Sequence, residues 1–191
     1  DLDAAAEFIC TLGKQEESRT VFGKFGKSKI EMAISLYKDT DWLPNTVSLH
    51  FPEKNIDNCE GVELINDVFL LGNKSLQPFY AICDTMAMIG GKKKQSGFAV
   101  DLQTELIGVF WLTYFNNNYV DYFGKSRFDS LPCQDAVGFD GIIVKLGKSH
   151  LSVDLSREDA EKILGKKSFV DPLLDSDKLA GRHVPLFKEV T

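Results

Sequence analysis

Histidine is scarce in this chain and does not cluster: His50, His150 and His183 stand far apart. No two fall within one helical turn of each other, which removes the helical histidine pair of many zinc sites, and each reads as structural or exposed. Cysteine is nearly as thin. Cys10, Cys59, Cys83 and Cys133 form no C-x-x-C pair or other short metal spacing. Reduced structural thiols are therefore expected, and two disulfides are an option only in an oxidising compartment. That favours the cytoplasm. Opening at Asp1 rather than methionine leaves room for a removed leader, so a periplasmic address is the alternative. Long apolar runs are also missing. The best one, around Ile107 to Phe115, is interrupted by Gly108 and Thr113 and falls far short of the roughly 18–20 residues that cross a bilayer, so no membrane partner is expected. Basic charge is in the minority: 22 Lys and Arg face 28 Asp and Glu, for a net charge of −6. Attraction to a phosphate backbone is disfavoured, no nucleic-acid partner is expected, and a basic protein surface is the more natural complement.

The nucleotide-binding signatures fail as well. Gly-Lys-Ser begins at Gly26, Gly124 and Gly147, but a P-loop also needs glycine five residues earlier, where Val21, Tyr119 and Ile142 stand. Neither a G-x-G-x-x-G fingerprint nor a G-x-S-x-G elbow occurs. Asp39-Thr-Asp41 and the stretch from Asp171 to Asp177 read as aspartate-rich turns rather than cation ligands. No cofactor or metal is expected.

What is there describes one ordinary globular domain: 191 residues, 43% hydrophobic and 26% charged. Leu2 to Leu12 has helical apolar spacing and stops at Gly13. From Thr20 to His50 the pattern is extended. Ile30, Met32, Ile34 and Leu36 alternate with polar residues, and Thr46 to Phe51 repeats the alternation, so neighbouring antiparallel strands are expected. Val62, Ile65, Val68, Phe69 and Leu71 predict a helix ending at Gly72-Asn73. Ser75 then caps a second helix, with Pro78 in its first turn and Gly90-Gly91 after it, completing a helical hairpin. The Lys92-Lys-Lys94 run reads as a solvated loop. Leu106 to Phe115 is a central strand covered on both faces, followed by a short helix from Asn117 to Phe123 with Asn116 as its cap and Gly124 as its left-handed stop. In that helix Tyr119, Tyr122 and Phe123 share a side. Asp140-Gly141 signals a tight hairpin between Ala136–Phe139 and Ile142–Leu146, and Ser156-Arg-Glu-Asp159 opens a helix that runs to Gly165. With hairpins outnumbering strand-helix-strand units, the expected class is α+β: a single domain over residues 1–191, with a mainly antiparallel sheet and packed helices.

Functional candidates come from charge and from aromatic content. Acidic residues gather at Asp39 and Asp41 beside Trp42, at Glu53, Asp57, Glu60 and Glu63, and at Asp101 and Glu105. Carboxylates flanking an aromatic anchor are what a binder of a cationic surface offers. The densest aromatic stretch is Trp111-Leu-Thr-Tyr-Phe-Asn-Asn-Asn-Tyr-Val-Asp-Tyr-Phe-Gly124, with six rings in fourteen residues.

This stretch, extended back to Gly108 and followed by Arg127-Phe128 and Leu131-Pro132, resembles a pattern in bacterial immunity proteins of polymorphic toxin systems, those of contact-dependent and type VI or Rhs effectors. In them a W-x-x-Y-F strand end leads into a Y-V-x-x-F-G helix. Ala160-Glu-Lys-Ile-Leu-Gly165 with Phe169 is similar to a later helix and turn of the same proteins, so the likeness covers about Gly108 to Asp171. It implies a non-enzymatic inhibitor that binds the toxic domain of a cognate antibacterial effector. Trp111, Tyr114, Phe115, Asn116, Tyr119, Tyr122, Phe123 and Gly124 would then be scaffold residues, and Asp39, Asp41, Trp42, Asp57, Glu60, Asp101 and Glu105 contact candidates on charge. The alternatives are a small hydrolase-like enzyme drawing carboxylates from separate segments, and a periplasmic binding module held by two disulfides.

Overall fold

Alternation with a period of two puts every second side chain of a strand on one face, and the first part of the chain forms strands where that pattern occurs. In a computed structural model, which describes residues 19–25, 30–36, 46–52, 59–92, 105–135 and 140–171, the extended patterns become β1 (Arg19–Phe25), β2 (Ile30–Leu36) and β3 (Thr46–His50). They form an antiparallel sheet in the order β1-β2-β3, with Ile34 opposite Val47 and Met32 opposite Leu49. Ile34 is buried, while Val47 and Leu49 on the outer strand are exposed. The helix expected at Leu2 to Leu12 lies outside the described residues.

The chain divides into two compact units, Asp1–Glu63 and Leu64–Thr191. In the second, a four-stranded antiparallel sheet runs β4 (Tyr80–Cys83), β5 (Leu112–Phe115), β7 (Ile142–Lys145), β6 (Cys133–Asp135). The expected α+β class with antiparallel pairing is what the structure has. Central β5 is buried along its whole length. Its alternation sorts two cores. Tyr114 and Ile143 face Phe69 and Leu70 of helix α1 (Cys59–Leu76). Phe115 and Ile142 face the other way, into the larger core with Tyr119 and Phe123 of α3 (Asn117–Phe123), Phe128 of α4 (Lys125–Phe128), and Ala160 and Leu164 of α5 (Arg157–Leu164).

The capping signals act as read. The Asn116 side chain accepts the Tyr119 N–H, Ser156 accepts the Asp159 N–H, and Gly124 ends α3 at φ 86°, a conformation that a Cβ would strain.

Four expectations need correction. Helix α1 does not stop at Gly72-Asn73 but continues to Leu76; Gln77, at φ 45°, ends it, because the residue before Pro78 is steered away from the right-handed helical region. The second helix of the expected hairpin does not form. Tyr80–Cys83 is strand β4, paired with β5, and only α2 (Met86–Gly90), capped by Thr85, is helical. A four-residue apolar run suits either conformation, and the unsatisfied edge of β5 selects the strand. The strand expected over Leu106 to Phe115 is regular only from Leu112. Before it the chain is irregular, held by a parallel bridge of Leu106 to Phe169. Finally, Ile142 pairs with Asp135 across residues 136–141, too long a connection for a two-residue turn at Asp140-Gly141, and the strand expected over Ala136–Phe139 lies outside the described residues. Beyond β7 the chain makes a small ladder of β8 (Gly147–Ser149) and β9 (Ser152–Val153). Among the described residues, no helix is long and apolar enough to cross a membrane.

Candidate functional site

Irregular backbone inside a core must find partners for its amides, since an unpaired buried N–H costs about as much as a lost hydrogen bond. Residues 105–111 are such a segment, and two charged side chains serve it. Arg157 and Glu161 lie one turn apart on α5, on the same face as Ala160 and Leu164. Glu161, 3% exposed, accepts the Val109 N–H at 3.2 Å on Oε1 and pairs with the Lys92 ammonium at 2.7 Å. Asp84, just before α2, accepts the Trp111 N–H at 3.0 Å and the Arg157 guanidinium at 2.6 Å on Oδ2, and the Thr85 N–H at 2.8 Å on Oδ1. Gly108 belongs here for want of space: a Cβ on it would sit 2.8 Å from Glu161 Oε1. The Tyr80 hydroxyl donates to the Gly108 carbonyl and also faces its N–H. Lys92 is thus a half-buried strut rather than the solvated lysine expected from its run; Lys93 and Lys94 lie outside the described residues.

Every carboxylate oxygen of Asp84 and Glu161 has a cation or an amide on it, the arrangement of groups that hold a loop in place. Burial pushes the Tyr80 phenol well above its usual range; the Gly108 N–H opposes that shift and Glu161 adds to it. Burial, with Asp84 adjacent, pushes the Cys83 thiol up to about 12, and burial raises the Tyr114 and Tyr119 phenols. These acids stay protonated in the fold while the unfolded chain ionises from about pH 9 for thiol and about pH 10 for phenol. Their effect on stability is nil below that window. It becomes a loss as pH rises through it, because the unfolded state then releases more protons, by about 1.4 kcal/mol per pH unit for each group fully in play. The urea midpoint is expected to stay level between about pH 6 and 8 and to fall steeply between about pH 9 and 11. Cys83→Ala is expected to delay the onset; a midpoint level to the end of that range would contradict the burial.

Of the residues that carry the resemblance, Trp111, Tyr114, Phe115, Tyr119 and Phe123 are buried. Phe115 contacts the rings of Tyr80, Tyr119, Phe123 and Phe128 at centroid distances of 5.4–6.4 Å. The Trp111 indole donates to the Gly147 carbonyl at 3.1 Å, and Tyr114 donates to the Asp140 carbonyl. Tyr119 and Phe123 share the buried side of α3 as expected, but Tyr122 does not: it is 44% exposed, with its hydroxyl 3.2 Å from Ser168 Oγ. The two stretches of likeness, separate in sequence, join in space. Phe123 stacks on Phe169 at 5.7 Å, and Arg127 donates to the Leu164 carbonyl, closing the C-terminus of α5.

The charge-based candidates fare unevenly. Asp39, Asp41, Trp42, Asp57 and Asp101 lie outside the described residues. Glu105 is 0% exposed and so is no surface contact; the Leu106 backbone ladder to Ser168 and Val170 draws this stretch into the interior. Glu60 is exposed in the first turn of α1. Glu63 belongs to the same expected acidic cluster, and Leu64 and Asp67, which were not singled out in the sequence, join it. Glu63, Leu64, Asp67 and Leu71 are exposed on the same helix, Leu71 having been assigned to its apolar face. The spacing of Glu60, Leu64, Asp67 and Leu71, alternately four and three residues, was the available signal. For Glu161, the signal was a carboxylate on the face of Ala160 and Leu164.

Cys59 and Cys83 are free thiols. Among the described residues no group of three or more His, Cys, Asp or Glu side chains could hold a metal ion. Comparison with protein-family models, with curated proteins and with solved structures finds no match to this chain.

Proposed function

We propose that this protein is an immunity protein, which neutralises the toxic domain of a cognate antibacterial effector by direct protein–protein contact. The observation that carries the reading is the union of the two stretches that resemble such proteins. Residues 108–128 and 160–169 form one aromatic core, tied by the Phe123–Phe169 stack and the Arg127 bond to α5. Residues far apart in sequence that bury one another behave as a unit, which is what a shared scaffold requires. The surface is in keeping: an inhibitor needs a rigid body and a complementary patch, and a chain of net charge −6 suits a basic cleft.

The test is genetic and then physical. The variable C-terminal domain of a large secreted protein encoded immediately upstream is expressed alone and together with this chain. Restored growth, with a stable complex in size-exclusion chromatography, is the expected result. No rescue and no complex, with both proteins folded, would remove the reading.

A further inference from the structure

We infer that the solvent face of α1 is the docking surface for a basic amphipathic helix of the partner. The inference rests on the immunity reading and names its surface and the chemistry that surface selects.

Along α1, Glu60, Leu64, Asp67 and Leu71 follow one another at intervals of four, three and four residues, the spacing of a helix-to-helix seam. Because all of them lie on one helix, helical geometry alone sets the stripe; the 18-residue helix is about 27 Å long. Leu64 is 47% and Leu71 65% exposed, on the side opposite Ile65 and Phe69, which turn inward. Glu63 flanks the stripe and is exposed too. Among the described residues no cation pairs with Glu60, Glu63 or Asp67, whereas Asp84, Asp159 and Glu161 all have a partner. Lys74, in the last turn, is the single basic group of the helix. The stripe therefore offers two apolar knobs, Leu64 between the uncompensated Glu60 and Asp67, and Leu71 between Asp67 and Lys74.

A partner helix with leucine-sized residues and lysine or arginine along one face fills both requirements. It covers the leucines and neutralises the acids, and the opposite charges speed the encounter. A second copy of this chain fits less well, since it brings three more carboxylates and one lysine to the same seam. Such a face supplies part of the roughly 800 Å² that each partner of a stable complex buries.

The test uses the whole chain and two synthetic helical peptides of the same apolar pattern, one leucine–lysine and the other leucine–glutamate. Fluorescence anisotropy is expected to show binding of the lysine peptide alone, weakening as salt is added. Leu64→Ser with Leu71→Ser, and separately Glu63→Lys with Asp67→Lys, are each expected to lower that affinity at least roughly tenfold. Circular dichroism should be unchanged, since all four side chains are exposed. Equal binding of both peptides, or parental affinity in both double variants, would overturn the inference. So would sedimentation as a dimer that Leu71→Ser dissociates, which would make a second copy the occupant. In the growth assay the same variants are expected to lose protection. Protection by the parent and by both variants alike would overturn the face and leave the immunity reading standing. If the parent itself fails to protect, the immunity reading falls and the peptide measurement alone decides the face.

Discussion

Replacing Glu161 with alanine is expected to lower the free energy of unfolding by about 3–5 kcal/mol, because one side chain serves two groups that water cannot easily reach. Its carboxylate holds the Lys92 ammonium at 2.7 Å and the Val109 N–H at 3.2 Å. Without it, a buried amide and a largely buried cation lose their partner together. The energy at stake is the penalty of the groups left behind, which the geometry of the replacement can expose. Glu161→Gln keeps the shape and an acceptor for Val109, so a smaller loss is expected. Lys92→Met combined with Glu161→Leu removes both charges and should recover much of it, leaving mainly the amide unserved. Urea denaturation with a constant m-value is the measurement. A loss within about 0.5 kcal/mol for Glu161→Ala would show that this pair does not hold the segment.

Phe115→Ala is expected to cost a similar amount, about 3–5 kcal/mol, for a different reason. The ring is fully buried and is the meeting point of four others, Tyr80, Tyr119, Phe123 and Phe128. They belong to β4, α3 and α4, so no single element can relax into the vacated space. Tyr122→Ala, three positions from Tyr119 on the same helix, is the contrast. That side chain is 44% exposed and gives up an edge-on ring contact with Phe123, worth about 1 kcal/mol. Thermal or urea unfolding of the two variants checks the pair. Equal losses would mean that the motif is not divided into an inner and an outer side as described.

Those two residues also mark how far the chain could be read in advance. Asn116, Gly124, Ser156 and Gly165 bound their helices as expected, because a cap is settled by a hydrogen bond three or four residues away and by one backbone angle. The strands through Ile34 and Leu49 were equally legible, since alternation is local. Tyr80–Cys83 was not. Its four residues suit a helix or a strand, and the decision belongs to Leu112–Phe115, which pairs with them from about thirty positions away. Leu71 was misassigned for a related reason: helical spacing reports that a face exists but not whether neighbours cover it.

The charged residues draw the same line more sharply. Local chemistry along the chain was enough to set the caps at Asn116, Gly124, Ser156 and Gly165, the strands through Ile34 and Leu49 and the α+β class, because each depends on interactions within a turn or a strand pair. Which charges would be buried was left to the assembled fold. Lys92 meets Glu161 across 69 positions, and Asp84 meets Arg157 across 73. A lysine or glutamate carries the same local preferences whether it ends in water or in a core. The irregular path of residues 105–111 created buried amides that needed acceptors, and the folded chain brought Asp84 and Glu161 to them.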